Sequence, residues 1–124
     1  MANPVIIYRG DTFKGRIHLK MTDVQDPTTK KPYPIPSGSS IEMRFKNDPV
    51  VQPSGPVSLT SAASEVVISD FVNGIVDYEG PKTKSPALLL GADQAIDLIV
   101  TDSGGKVQTF EAAAVLEVRD RANG

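Results

Sequence analysis

The chain has 124 residues, with 13 Lys or Arg against 15 Asp or Glu and a formal net charge of -2. That is one domain's length, expected to span 1–124, and it can bury roughly two-thirds of its unfolded surface without a metal or disulfide staple. No basic excess exists to hold a phosphate backbone, so binding to nucleic acid through charge is not expected, and a chain without cysteine can form neither disulfides nor thiolate metal sites. No stretch approaches the ~20 apolar residues of a membrane span. The start, MANPVIIYRG, lacks a charged n-region and a long apolar core, so a soluble protein folded in the cytoplasm is expected.

Ten glycines and ten prolines without low-complexity runs point to many short strands rather than long helices. In chain order, residues 4–9 read as a short strand. Phe13, Gly15, Ile17, Leu19 and Met21 then alternate with Lys14, Arg16, His18 and Lys20, the period-two mark of a strand with one buried and one wet face. Residues 22–40 hold Pro27, Pro32, Pro34 and Pro36 and read as a long, partly extended loop, because proline cannot donate to a sheet ladder. Ile41, Met43 and Phe45 alternate with Glu42, Arg44 and Lys46 as a further strand. Residues 47–56 are a turn region, followed by two short strands, VSLT and EVVISDF. Asn73-Gly74 fits a tight turn that needs positive φ, and GIVDYEG is a weaker strand. Ser85-Pro86-ALLLG reads as an N-cap, a proline at the first helical position, one turn of helix near 85–90 and a glycine stop. Ile96 to Thr101, the turn Asp102-Ser103-Gly104-Gly105 and the strand Lys106 to Arg119 form a hairpin, with a bulge near Gln108 because Val107 falls on the wrong parity. About seven or eight short strands at this spacing predict an all-β fold, a single antiparallel β-sandwich of Ig-like or Greek-key type, with a small barrel as the alternative.

Chemistry is sparse. His18, the single histidine, falls on the wet face of its strand. The serines lack a G-x-S-x-G elbow, and the carboxylates are scattered singly rather than paired as in a glycosidase. Asp93 and Asp97 give only a weak calcium hint, and TDSGG fits a hairpin turn better than a calcium loop. No catalytic residue, cofactor or metal site is therefore expected, nor an enzyme. Arg9-Gly10-Asp11 matches the tripeptide read by adhesion receptors of the integrin type. Between two hydrophobic strands it serves equally as a corner, with glycine supplying the unusual φ.

IIYRGDTFKGRIHLK (6–20), PIPSGSSIEMRFK (34–46), with Gly38, Ile41 and Arg44 in order, and SPALLLGADQAIDLIVTDSGGKVQTFEAAAVLEVRD (85–120) resemble, piece by piece, a family of small β-domains in tailed-phage virion proteins, including baseplate and tail-associated modules. Ala95-Ile96 stands where that pattern has a tyrosine before Asp97, and no glycine interrupts Phe110 to Val118. The resemblance implies a structural, non-enzymatic virion protein, made in the bacterial host, whose partners are other virion proteins or repeated copies of itself, with no nucleic acid and no membrane. Two stretches are candidate contact surfaces. One is the proline-rich loop with Tyr33, Pro34, Ile35 and Pro36, which can project and dock at low entropic cost. The other is the closing strand at Ala113 and Val115, whose second face is only half polar and is either covered within the domain or set against a neighbour. The alternatives are a receptor- or glycan-binding β-domain with clustered aromatics such as Tyr8 and Tyr33, or a head decoration or fibre-attachment protein.

Overall fold

The computed structural model describes residues 5–22, 25, 28–48, 50, 53 and 55–120. Parts of the two long connections, including Asp23 and Asp26, lie outside the described residues. Strands β1 (Val5–Tyr8), β2 (Phe13–His18), β3 (Lys20–Thr22), β4 (Lys30–Pro32), β5 (Ser40–Phe45), β6 (Val57–Thr60), β7 (Val66–Asp70), β8 (Ile75–Gly80), β9 (Gly91–Thr101) and β10 (Val107–Arg119) follow one another. The largest sheet has the order β1-β10-β9-β5-β6, a second has β2-β8-β7, and β3 with β4 makes a two-stranded ribbon. The fold is all-β, as the turn-rich alternation requires, and its helical piece is the 3-10 turn Ser85–Ala87.

The alternation from Phe13 to Met21 has the expected faces: Phe13, Ile17 and Leu19 are buried, while Lys14, Arg16, His18 and Lys20 are exposed. Yet the segment is two strands. The chain leaves the β8 ladder at Leu19, whose N–H donates to the Gly74 carbonyl at 2.8 Å and whose carbonyl accepts from Tyr33 N–H at 2.9 Å. From there β3 pairs with β4, so the proline-rich stretch carries a strand where a loop was expected. Pro32 is tolerated because it ends an edge strand, where a missing donor breaks no central ladder.

Pairing is not wholly antiparallel. β1 runs parallel to the end of β10, from Val5 opposite Leu116 to Tyr8 opposite Arg119. It enters a different sheet from β2, so the corner at Gly10 (φ 90°) joins two layers instead of closing a hairpin. GIVDYEG, read as a weaker strand, is β8, which pairs with both β2 and β7 at the centre of its sheet.

The bulge expected near Gln108 lies elsewhere. Residues Val107 to Phe110 pair regularly with β9, and the slip falls between Phe110, opposite Leu98, and Ala114, opposite Ile96. Three residues of β10 there span the single Asp97. The two extra residues preserve parity, so Phe110, Ala114, Leu116 and Val118 all keep an inward face. A second slip, between Leu116 and Val118, places the extra residue on β9, where Asp93 takes the left-handed conformation at φ 58°.

The inward faces of both larger sheets contribute to one core. Ile41, Met43, Phe45, Leu59, Ile96, Leu98, Val100, Leu116 and Val118 come from one sheet, and Phe13, Ile17, Val66, Val76 and Tyr78 from the other. Phe13 meets Phe45 edge-on with ring centres 5.6 Å apart, and Phe45 meets Tyr78 at 6.1 Å. Each such side chain contributes roughly 1.5–3 kcal/mol by leaving water, and edge-to-face geometry suits the ring quadrupoles. Gly80 makes room for this packing, since a Cβ there would lie 2.1 Å from the Phe13 ring.

Candidate functional site

The Arg9-Gly10-Asp11 corner is built as a clasp. Arg9 N–H donates to the Arg119 carbonyl at 2.9 Å, continuing the β1–β10 ladder past Tyr8. Its guanidinium donates to the Leu88 carbonyl through Nε at 3.0 Å and Nη2 at 2.7 Å, and Nη2 also meets Asp48 Oδ2 at 2.7 Å. Asp120 stands 3.8 Å from Nη1. Gly10 N–H donates to Ser85 Oγ at 2.8 Å. The fork geometry of arginine lets one side chain hold a backbone carbonyl and a carboxylate together. With its side chain only 18% exposed, Arg9 is engaged inside the molecule and is not presented as an adhesive tip.

The same clasp corrects the helix expectation. Ser85 is the first residue of the 3-10 turn and not its cap; Lys84 holds the cap position without a side-chain bond. The Ser85 hydroxyl, fully buried, accepts from Gly10 instead. Gly91 opens β9 and does not end a helix. Leu89 N–H donates to the Lys46 carbonyl and Asp48 N–H to the Ala87 carbonyl, so this segment pairs with the chain just past the end of β5. Lys84 Nζ ties it to the β6–β7 turn, through the Ser58 carbonyl at 2.8 Å and Glu65 at 2.8 Å. Nothing local in the sequence announces these partners.

The proline-rich candidates divide between inside and outside. Ile35 is 4% exposed and belongs to the core, and its N–H donates to the Phe71 carbonyl at 2.7 Å. Tyr33 is half-buried and packs edge-on against Phe110 with ring centres 4.8 Å apart. Pro34 and Pro36 are exposed. The loop therefore does not project as a free docking arm, because the buried isoleucine between its prolines anchors it. Gly38, at φ 82°, brings the following turn to Ser103, whose Cβ lies 3.3 Å from where a Gly38 Cβ would be.

On the closing strand, Val115 is 43% exposed, so its face is not covered within the domain. The side chain of Ala113 lies outside the described residues. Val115 shares the outer face of the largest sheet with Ile6, 46% exposed, and Tyr8, 38% exposed. The expected clustering of Tyr8 with Tyr33 does not occur. Tyr8 lies opposite Arg119 and Tyr33 against Phe110, and the strand between those two partners advances roughly 23 Å at ~3.3 Å per residue, its two extra residues adding no length.

His18 is exposed at the end of β2, opposite Ile75. Arg16 grips Asp77 across the strands at 2.6 and 3.0 Å, and this hydrogen bond holds the Asp77 carboxyl below the usual carboxylate range. Among the described residues no three His, Asp or Glu side chains are placed to hold a metal. One buried group was missed by the sequence reading. Tyr78 is 3% exposed, and its hydroxyl has no hydrogen-bond partner among the described residues. It lies across Gly15, where a Cβ would sit 2.5 Å from the hydroxyl oxygen. Burial pushes its pKa up to about 12. The pairing of a tyrosine with a glycine on facing strands was a signal in principle, but only once the β2–β8 register is known. Compared with protein-family models and with curated proteins, the chain matches none.

Proposed function

We propose that this chain is a structural, non-enzymatic virion protein of a tailed bacteriophage, an assembly module of the tail or baseplate type that acts through contacts with other virion proteins and with further copies of itself. The observation that carries the reading is a group of exposed apolar side chains on the outer face of the largest sheet, Ile6, Tyr8 and Val115, each more than a third exposed beside the Arg119–Glu117 pair, over a sheet whose other face is closed by the core. Apolar side chains grouped on one face mark contact surfaces more often than they mark catalytic ones. The ordered resemblance over 6–20, 34–46 and 85–120 supplies the class of assembly, and repeated copies let modest contacts add through multivalency.

The test is composition of the particle. Virions purified from the organism that carries the gene, analysed by mass spectrometry, are expected to contain the chain at a fixed ratio to the other tail proteins. Recovery in the soluble lysate alone, with none in particles, overturns the reading. Light scattering of the purified chain supplies a second check: Val115→Lys is expected to shift any oligomer towards the monomer.

A further inference from the structure

Between the Tyr33–Pro36 segment and the base of the β9–β10 hairpin lies a cavity of about 270 Å³, lined by Tyr33, Pro36, Val100, Asp102, Lys106 and Gln108. We propose that this cavity binds a single neutral sugar ring, a hexose-class polyol.

The argument is one of matched chemistry. Half of the lining is apolar, with an aromatic ring, a proline and a valine; the other half carries three polar groups of different kinds. An ionised Asp102 only accepts hydrogen bonds, Lys106 only donates them, and Gln108 does both. A ligand carboxylate would face Asp102, and a cation would face Lys106. Hydroxyl groups donate and accept, so vicinal hydroxyls satisfy all three, while the C–H face of a pyranose suits the tyrosine and proline wall. The volume lies just below the range of drug-sized sites and suits one ring rather than a chain of sugars.

The site is also held in shape before any ligand arrives. The Tyr33 ring is braced by Phe110. The Pro36 carbonyl accepts from Ser39 through both N–H, at 3.2 Å, and Oγ, at 2.6 Å. Asp102 Oδ1 accepts from Gly104 N–H and Lys106 N–H, each at 2.9 Å, which fixes the turn and leaves Oδ2 without a partner among the described residues. Preorganisation of this kind lowers the ordering cost of binding.

The experiment is a titration of the full chain, labelled with nitrogen-15, with glucose, galactose and N-acetylglucosamine. Saturable amide shifts are expected at Gly38, Asp102 and Lys106 to Gln108, at millimolar sugar. Lys106→Ala and Gln108→Ala are each expected to weaken binding by about fivefold, the worth of one hydrogen bond. Both side chains are exposed, so neither change is expected to move the unfolding midpoint. Methyl glycosides that bind as tightly as free hexoses identify the end of a glycan as the source, and loss of binding on glycosidation identifies the free sugar; either supports the polyol assignment. No saturable shift with any sugar, affinity unchanged in both variants, or tighter binding of acetate or glycine than of every sugar overturns it. The isolated chain is used throughout, so the outcome is separate from whether the chain is found in particles.

Discussion

The two ends of β10 carry similar alternating sequences and meet opposite surroundings. Near its C-terminus the strand lies between β1 and β9, and Leu116 and Val118 are 2% and 3% exposed. Near its start β9 alone pairs with it among the described strands, and on that same inward face Gln108 is exposed and Phe110 only half-buried. Gln108 and Phe110 share that face, and Tyr33 from a distant segment covers Phe110. Alternation says which side chains share a face. A second neighbouring strand and a facing sheet decide whether that face is dry.

The largest expected effect tests this contrast directly. Leu116→Ala leaves a cavity between well-packed layers and is expected to cost about 3 kcal/mol in urea unfolding. Gln108→Ala, on the same face at the open end, is expected to stay within about 0.5 kcal/mol. Similar losses at both positions would break the comparison and imply that the open end is covered in solution.

A second measurement probes the closed region through proton uptake. Tyr78 is neutral in the fold, and its pKa is raised from 10.0 to about 12 by burial. Both folded and unfolded chains hold the phenol proton below pH 10, so its contribution is fully present there. Above pH 10 the unfolded chain ionises first, and stability is lost as the pH rises towards 12, by roughly 3 kcal/mol. Tyr78→Phe is expected to remove this alkaline slope. It also removes a buried hydroxyl without a partner among the described residues, so no loss of stability is expected at pH 7. A variant with the same alkaline slope as the parent assigns the slope to other groups.

Arg9 sharpens the comparison from the side of the chain's first corner, because it helps set β1 against β10. Arg9→Ala is expected to cost about 2 kcal/mol, the range for charged hydrogen bonds in part-buried places. Arg9→Lys is expected to recover less than half of that, since an ammonium cannot reproduce the fork between the Leu88 carbonyl and Asp48. Full recovery by lysine would show that charge alone matters. The smallest effect is expected at Arg16→Ala. Its bidentate bond to Asp77 is regular but lies in water, and exposed pairs contribute little. Thermal unfolding of that variant should match the parent closely, and a large loss would mean that the outer face of β2 is buried in an assembly.

The sequence by itself determined the class of fold and the faces of its strands. Phe13 to Met21, Ile41 to Phe45 and Ile96 to Val100 show their buried sides because neighbouring residues point to opposite faces of a strand, and that period is a local property. Asp102 to Gly105 was legible as a turn for the same reason: its side-chain bonds reach only a few residues along the chain. Only the tertiary structure decided the parallel place of β1, the change of ladder at Leu19, the inward turn of Ile35 among prolines and the slip that lets three residues of β10 pass Asp97. The partners of Arg9 at Asp48, Leu88 and Asp120, like the cavity between Tyr33 and Gln108, depend on segments far apart in the chain. Such contacts form where packing brings surfaces together, and no period in the sequence encodes which surfaces those are.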